Sequence, residues 1–313
     1  MKKCPLLVLL GPTAVGKTAL SLALARALGA EIISGDSMLV YRGFDIGTAK
    51  PTAAERAAAV HHLIDIRGPE ARYSVQDFQQ DATRLAGEIA ARGHLPFVVG
   101  GTGLYVQSLV EGYAFSEAGG DAAYRAELMQ LAEKKGRSAV YALLQKADPV
   151  AAAGIHPHNL HRVVRALEAR HTGRGISFLK KEPPFHAYVI GLARPRAELY
   201  ARIDARVDAM FAAGLAAEVR GLLVAGIPPT AQAMQGIGYK ETAAYLRGEM
   251  SEAEAVRAIK LATRHFAKRQ LTWYRRMNYI HWFDVSGRKA EDVCAEILWN
   301  LRHEKGFFPF GGE

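Results

Sequence analysis

The stretch "PLLVLLGPTAVGKT", Pro5 to Thr18, joins a continuous apolar run to a glycine-rich turn and a lysine. The apolar run ending at Leu10 predicts a buried strand, and Ala19 to Leu28 has helical composition. The spacing G-x-x-x-x-G-K-T between them is typical of loops whose backbone N–H groups and following helix N-terminus hold phosphates. Lys17 adds a positive charge there, and Thr18 adds a hydroxyl suited to a phosphate-bound Mg²⁺.

Further apolar runs, separated by helical segments, predict additional buried strands: Ala30–Ser34, Pro96–Val99, Tyr188–Leu192 and Tyr279–Val285. This alternation favours an α/β fold, a P-loop parallel sheet flanked by helices, with its ligand at the carboxyl ends of the strands. Between about Glu111 and Pro184 the pattern changes to helical segments rich in Ala, Leu, Arg and Glu. We therefore expect a P-loop core formed by 1–111 and 186–313, with an all-helical insertion at 112–185.

Composition limits the class of protein and its partners. The chain has 313 residues, of which 50% are hydrophobic, and 40 Lys and Arg against 31 Asp and Glu give a formal charge of +9. This balance favours a polyanionic partner without establishing one. Cys4 and Cys294 have no metal-ligand spacing and fit a reducing compartment. Because no apolar run approaches the roughly 18 to 20 residues that span a bilayer, we expect a cytoplasmic protein.

The positions of acidic residues distinguish this sequence from a simple ATP-dependent enzyme: one expected acid is absent, and another acid is present elsewhere. A P-loop that transfers the γ-phosphate usually works with an acid at the end of an apolar strand. The candidate strand, within "LPFVVGGTGLY", ends in Gly100, Gly101 and Thr102 without an acid. Asp36 instead follows the Ala30–Ser34 strand, which predicts a carboxylate at the same sheet edge as the loop. That residue fits either an Asx turn or helix cap, or a base that accepts a substrate proton.

Several collinear motifs together resemble the bacterial tRNA dimethylallyltransferases, also called tRNA isopentenyltransferases. They run from Gly11 to about Trp282 and are "GPTAVGKT", "ISGDSMLVYRGFDIGTAKP", "HHLIDI", "YSVQDF", "VVGGTGLYVQSL", "DPVAAAGIHPHNLHRVVRALE", "RIDARVDAMFAAGLAAEV", "QGIGYKE" and "ATRHFAKRQLTWYRR". Leu39 departs from the pattern where many members carry Gln, and Gln235 departs where Arg is often found. Both departures concern contacts to RNA.

The resemblance implies transfer of a dimethylallyl group from dimethylallyl diphosphate to N6 of the adenosine 3′ of the anticodon, adenosine 37, in tRNAs that read codons beginning with U. It implies that Asp36 accepts the N6 proton, that the Thr102 hydroxyl lies at the reacting centre, and that Lys17 and Arg206 act on the diphosphate. Mg²⁺ is the implied cofactor, with Thr18 as its ligand. The implied diphosphate-binding residues are Gly11, Pro12, Thr13, Ala14, Val15, Gly16, Lys17 and Thr18.

Two of these roles have simpler alternatives in the sequence. Thr102 suits the satisfaction of backbone groups in a glycine-rich turn. Arg206 lies on a predicted helix between Asp204 and Asp208, where a surface ion pair is the usual arrangement. The resemblance favours the catalytic roles.

The resemblance also implies tRNA as a partner, gripped at its anticodon arm by the helical insertion, with the target base flipped into a channel. We expect a monomer. The implied tRNA-binding residues are Asp36, Ser37, Met38, Leu39, Thr102, Arg125, His161, Arg162, Val163, Val164, Arg165, Gln235, Gly236, Ile237, Gly238, Tyr239 and Lys240.

The segment "AVRAIKLATRHFAKRQLTWYRR" predicts a helix with two stripes. The basic stripe, which a solvent-exposed face would explain, consists of Arg257, Lys260, Arg264 and Lys268. The apolar stripe, which we assign to core packing, consists of Ile259, Ala262, Phe266 and Trp273.

Two other functions fit parts of the sequence. A P-loop kinase acting on a small hydroxyl compound would use the loop for ATP and Asp36 as its base. A basic, non-catalytic RNA adaptor would use the loop for a nucleotide and would not need Asp36 at all.

Overall fold

The computed structural model describes residues 3–115, 121–172 and 182–304. The chain divides into two compact units. The first unit consists of Met1–Gly112 with Glu182–Glu313, and the second consists of Tyr113–Lys181. The insertion expected at 112–185 begins one residue before the second unit and ends four residues after it.

The first unit contains a six-stranded sheet in the order β3-β2-β4-β1-β5-β6, and every pairing in it is parallel. The strands are β1 (Cys4–Leu10), β2 (Ala30–Ser34), β3 (His61–His62), β4 (Leu95–Gly100), β5 (Phe185–Ala193) and β6 (Ile280–Asp284). The predicted α/β class and the five predicted strands are confirmed. β3 was not predicted, because two residues are too short to form a pattern.

The central strand β1 shows why the sheet is covered on both faces. Alternate side chains of a strand point to opposite faces. Leu6, Val8 and Leu10 belong to one hydrophobic core, whereas Leu7 and Leu9 belong to another. All five are fully buried, so the strand needs the unbroken apolar run seen in the sequence.

Helices cover the sheet and also form the second unit. Those in the described residues are α1 (Lys17–Leu28), α2 (Ala53–Ala58), α3 (Val75–Ala91), α4 (Gly103–Val110), α5 (Ala122–Lys135), α6 (Arg137–Ala147), α7 (Pro149–Ala153), α8 (Leu160–His171), α9 (Arg196–Ala212), α10 (Leu215–Val224), α11 (Tyr239–Leu246), α12 (Glu252–Tyr274) and α13 (Ala290–His303). Helices α5 to α8 belong to the second unit, and a short 3₁₀ turn at Ala233–Gln235 precedes α11.

The second unit has a small core of its own. Leu128 of α5, Val140 and Leu144 of α6, and Val163 and Leu167 of α8 are buried together. This cluster lets the four helices fold around one another as a compact body.

Membrane insertion is a separate matter from fold class. Among the helices in the described ranges, none has both the length and the apolar character needed to cross a bilayer.

Candidate active site

A cavity of about 130 Å³ opens beside the carboxyl ends of β1, β2 and β4. This is the edge at which parallel α/β sheets bind their ligands. All of its lining residues belong to the first unit. They are Thr13, Ala14, Gly16, Lys17, Thr18, Ser21, Ile32, Ser34, Asp36, Leu39, Thr48, Ala49, Pro51, His61, Ile64, Val99, Gly100, Gly101, Arg206, Phe266 and Gln270.

The loop between β1 and α1 has the backbone conformation of a phosphate site. Gly16 has a φ of 115°, which glycine tolerates because it lacks a Cβ. Ala14 has a φ of 63°, a conformation that non-glycine residues adopt mainly at turns and ligand-binding sites. The first turn of α1 carries no acidic side chain, so the positive end of the helix dipole is left to attract an anion.

Lys17 lies inside this loop and turns back onto it. Its Nζ donates hydrogen bonds to the carbonyl oxygens of Gly11 at 2.8 Å and Pro12 at 3.0 Å. The pKa of Lys17 is lowered to about 8, chiefly by burial; the Asp36 carboxylate opposes this shift, and the charge of Arg206 adds to it. A diphosphate in the cavity would favour the charged form of this lysine and raise its pKa again.

Asp36 lines the same cavity, directly beyond β2. Its Oδ1 accepts a hydrogen bond of 2.8 Å from the Met38 N–H, which is an Asx turn. Burial raises the pKa of the Asp36 carboxyl, while the bond from Met38 and the charge of Lys17 oppose the rise. The two interpretations of this residue are therefore compatible, because the turn orients a carboxylate that also faces the cavity.

The glycines at the end of β4 allow this arrangement. A Cβ on Gly100 would lie 2.3 Å from the backbone carbonyl of Gly35, so only glycine permits the two backbones to approach so closely. The Gly35 N–H donates to the Val99 carbonyl at 2.8 Å. The strand end that lacks an acid thus brings Asp36 beside the phosphate loop.

Thr102 follows the lining residue Gly101 but does not itself line the cavity. Its Oγ1 accepts a hydrogen bond of 3.1 Å from the Ser37 N–H and lies 3.4 Å from the Ser37 Oγ. The hydroxyl therefore supports the backbone next to Asp36, as the sequence alone suggested for a glycine-rich turn. Its placement at the reacting centre stays a prediction.

Arg206 of α9 lines the cavity and forms neither of the ion pairs that its neighbours in sequence suggested. Asp204 instead pairs with Arg264 of α12, and Asp208 pairs with Lys260 of α12 at 2.6 Å. Burial lowers the pKa of Arg206, and the nearby Arg202 lowers it further. Two members of the predicted basic stripe therefore tie α12 to α9, and interpreting the whole stripe as a solvated face was wrong.

Helix α12 also supports the phosphate loop through residues that were not predicted. The Gln270 Oε1 accepts from the Thr13 N–H at 2.9 Å, and its Nε2 donates to the Gly101 carbonyl at 2.7 Å. The Tyr274 hydroxyl donates to the same carbonyl at 2.7 Å. The sequence did contain a signal for Gln270. It follows Phe266 by four residues and so lies on the apolar side of the predicted helix, where a buried amide needs specific hydrogen-bond partners.

Arg202 makes a second unpredicted contact with the loop, since its Nε donates to the Ala14 carbonyl at 2.9 Å. It precedes Arg206 by one helical turn, so both side chains lie on the same side of α9.

The cavity has an apolar wall beside its charged end. Leu39, Ile64 and Phe266 line it. Phe266 was assigned to core packing, and that prediction was wrong because the residue lines the cavity and belongs to neither hydrophobic core of the first unit. Leu39, one of the two departures from the family pattern, also lines this wall. Trp273 does pack against the core, with its Nε1 donating to the Gln107 Oε1 at 3.0 Å.

The predicted tRNA-binding residues of α8 fall on two faces of the helix, one exposed and one buried. The side chains of His161, Arg162 and Arg165 are exposed, whereas Val163 and Val164 are buried in the core of the second unit. The buried side chains of the two valines offer RNA no exposed surface, and the role of this run in tRNA binding stays a prediction.

A buried acid anchors part of this surface. Glu168, whose side chain is 3% exposed, bonds to Arg125 at 2.6 Å and to Arg165 at 3.3 Å. These two arginines are held in place within the second unit, while Arg162 has no carboxylate partner among the described residues.

The predicted segment from Gln235 to Lys240 shows the same division. Gln235 is exposed and its Nε2 donates to the Pro229 carbonyl at 2.6 Å, and Lys240 is exposed as well. Ile237 is half-buried. Gly238 and Tyr239 are buried, so the Tyr239 ring offers RNA no exposed surface, and the role of this segment in tRNA binding stays a prediction. Gly236 lies against Met38, where a Cβ would come within 2.6 Å of the Met38 Cε.

The P-loop sheet, the cation-lined cavity and the buried carboxylate define an enzyme of the P-loop group-transferase class. Comparisons with known proteins specify it further. The family model described as IPP transferase matches residues 39–277, and a model described as isopentenyl transferase matches residues 4–68. The chain belongs to this IPP transferase family.

Individual relatives agree. The chain is 52% identical to the tRNA dimethylallyltransferase of Symbiobacterium thermophilum, over 97% of this chain and 96% of the relative. Among solved structures, it is 44% identical to the tRNA isopentenylpyrophosphate transferase of Bacillus halodurans, with a TM-score of 0.74 and coverage of 96% of both chains. A eukaryotic dimethylallyltransferase acting on tRNA is 26% identical, with a TM-score of 0.73, covering 96% of this chain and 80% of that one.

Proposed function

We propose that the protein transfers a dimethylallyl group from dimethylallyl diphosphate to N6 of adenosine 37 in tRNAs that read codons beginning with U. The products are N6-(dimethylallyl)adenosine and diphosphate. The observation that carries the proposal is one cavity lined by both the phosphate loop and Asp36, beside a strand end without an acid. Membership of the IPP transferase family supports it.

Asp36 is the proposed proton acceptor. The exocyclic amine of adenine is a weak nucleophile, because its lone pair is delocalised into the ring. Its attack on the allylic carbon forms the new C–N bond while the C–O bond to diphosphate breaks. The N6 proton passes to the Asp36 carboxylate, whose burial and raised pKa suit it to accept a proton.

The diphosphate takes the electron pair of the broken bond and gains negative charge. Preorganised donors that face such charge lower the barrier. Lys17 and Arg206 line the cavity, together with Thr13, Ala14, Gly16 and Thr18 of the loop. For Lys17, this role means exchanging its present bonds to the Gly11 and Pro12 carbonyls for bonds to the leaving group.

Mg²⁺ fits the oxygen donors at this end of the cavity. Thr18 lines it, and Mg²⁺ commonly takes one or two protein oxygens together with phosphate oxygens and water. When bound, the ion would neutralise charge on the leaving diphosphate. Thr18 is therefore the proposed ligand.

The RNA partner is proposed to meet both units. The target adenosine must leave its stack to reach a cavity, so we infer base flipping. Exposed His161, Arg162 and Arg165 of the second unit, together with Gln235 and Lys240 of the first, supply candidate contacts for the anticodon arm. We further propose that the protein acts as a monomer in the cytoplasm.

The test is incubation of the protein with labelled dimethylallyl diphosphate, Mg²⁺ and unmodified tRNA, followed by mass analysis of the nucleosides. We expect label on adenosine 37 that disappears when EDTA is added. Asp36→Asn is the control for chemistry. Absence of label across a whole tRNA pool would contradict the proposal.

A parallel reaction addresses the remaining alternatives. Transfer of the γ-phosphate from ATP to a small hydroxyl compound would favour a kinase. An Asp36→Asn variant with every function intact would favour a non-catalytic adaptor.

A further inference from the structure

A carboxylate outside the cavity holds the turn that forms one of its walls. Glu218 of α10 accepts three consecutive backbone N–H groups: Oε2 accepts from Asp45 at 3.1 Å and Ile46 at 2.8 Å, and Oε1 accepts from Gly47 at 3.3 Å. Successive N–H groups that converge on one anion form a strong, charge-assisted arrangement. Glu218 therefore fixes the course of this turn.

The turn continues directly into the cavity wall. Thr48, Ala49 and Pro51, which follow it, all line the cavity. Lys50 between them is buried, and its Nζ bonds to the Tyr41 carbonyl at 2.8 Å and to the Asp65 carboxylate at 2.5 Å. The wall is thus held at one side by Glu218 and at the other by Lys50.

Glu218 has a fourth partner that leads away from the cavity. The Tyr239 hydroxyl donates to its Oε1 at 2.6 Å. The Tyr239 ring is buried and lies 4.7 Å from the Phe44 ring between centroids. A Cβ on Gly47 would come within 2.5 Å of the Tyr239 ring, so glycine at this turn allows the tyrosine to reach the carboxylate.

Tyr239 begins α11, and the segment Gln235–Lys240 surrounds it. This segment carries proposed tRNA contacts, while the turn carries a wall of the donor cavity. The same carboxylate therefore bonds to both.

We propose that Glu218 is a positioning residue that ties the donor-cavity wall to the Gln235–Lys240 segment through Tyr239. Its loss loosens both, so the binding of donor and of tRNA weakens together while the chemical step is largely retained. The kinetic part of this inference rests on the proposed function.

Two variants separate the contacts. Glu218→Gln replaces one of the two accepting oxygens with an NH₂ group, which cannot accept a hydrogen bond. The N–H or O–H groups that bonded to that oxygen then lose their partner. Tyr239→Phe removes only the hydroxyl and leaves the three backbone bonds in place. Glu254→Gln is a matched control, because Glu254 also accepts from a backbone N–H, that of Ser251 at 2.7 Å, in an exposed helix cap.

The experiment measures KM for dimethylallyl diphosphate, KM for tRNA and kcat in each variant, together with Tm. For Glu218→Gln we expect both KM values to rise about five- to tenfold with kcat within about threefold, an energy of roughly 1 to 1.4 kcal/mol per substrate at RT ≈ 0.59 kcal/mol. For Tyr239→Phe we expect KM for tRNA to rise more than KM for the donor. Glu254→Gln should change neither constant.

Amide hydrogen exchange gives a readout that does not need catalysis. We expect faster exchange in peptides covering residues 44–51 and 235–241 in Glu218→Gln, and in the second of these peptides also in Tyr239→Phe. A lowered Tm with unchanged KM values would reduce Glu218 to a structural residue and overturn the proposal. A loss of kcat with unchanged KM values, or exchange that rises in only one of the two peptides in Glu218→Gln, would overturn it too.

Failure of the proposed function has a different signature. The wild-type protein would then form no prenylated tRNA at all, and the exchange result would decide whether Glu218 ties the two segments together.

Discussion

The cations of the cavity and the cations of α8 differ in how far water reaches them. Lys17 and Arg206 line the cavity, and burial lowers the pKa of both. Arg162 and Arg165 of α8 are exposed, and the Arg165 side chain is 65% exposed. The first pair is desolvated around one enclosed space, whereas the second lies on an open surface.

The difference shows how one chain can use separate sets of residues for the chemical step and for tRNA affinity. A charge in a dry site interacts strongly with one well-placed ligand, because the local dielectric is low. An exposed charge contributes little by itself, and its effect is screened by salt. We therefore expect rate to depend on a few cavity residues, and tRNA affinity to be spread over many surface residues.

The largest effect should come from Asp36→Asn. Losing the proton acceptor should lower kcat by about 10²- to 10⁴-fold, while the amide keeps the size of the side chain and KM for tRNA stays within about threefold. Single-turnover measurement of prenyl transfer checks this. If KM for tRNA rose instead and kcat stayed unchanged, cavity residues would contribute to tRNA affinity, and the distinction between the roles of cavity and surface would be wrong.

Lys17→Met should have the second-largest effect on kcat. Removing one proposed donor to the leaving group should lower kcat by about 10²- to 10³-fold, with tRNA binding again kept. Lys17→Arg is the matched variant, since it keeps the charge with a different shape. A loss confined to KM for the donor would mean that Lys17 binds the ground state and the transition state equally.

The pH dependence is the next test. Asp36 must be deprotonated to act as a base, so kcat/KM should rise with pH through its raised pKa. Lys17 must be protonated, so kcat/KM should fall above about pH 8, by about tenfold per unit. In kcat the alkaline fall should move to higher pH, because bound diphosphate holds the proton on Lys17.

Lys17→Arg is the control for the alkaline limb, since arginine stays charged throughout this range. If its residual kcat/KM still fell at the same pH, another group would be responsible.

The smallest effect should come from Arg162→Ala. We expect KM for tRNA to rise about two- to fivefold and kcat to stay unchanged, since one proposed contact between an exposed arginine and a phosphate is lost. The slope of log affinity against log salt should fall by about 1. Filter binding of tRNA at several salt concentrations measures this. A loss of 10²-fold or more would show that this surface, too, has a dominant residue.

Local sequence patterns were sufficient for the parts of the site that neighbouring residues build. The order of strand, loop and helix around Lys17 and the position of Asp36 after β2 both follow from short runs. Parallel strands bring their carboxyl ends to one edge, so the cavity could be placed before any contact was known.

Contacts made over long sequence distances could not be predicted in this way. Gln270 reaches Thr13 across more than 250 positions, and Glu218 reaches Asp45 across 173. The packing of α9 against α12 determines that Phe266 lines the cavity and that Lys260 pairs with Asp208, and local sequence does not reveal which faces of the two helices meet. Val163 and Val164 belong to a continuous run of predicted tRNA contacts, but the helical periodicity of α8 directs their side chains into the core of the second unit.

The bond from the Met38 N–H to the Asp36 Oδ1 has a consequence for sequence variation. The orientation of the proposed base is encoded in the main chain, and no neighbouring side chain takes part in that bond. Positions 37 to 39 can therefore exchange side chains, as Leu39 illustrates, without turning the carboxylate. Proline at position 38 is the replacement that would remove the bond, because it has no N–H to donate.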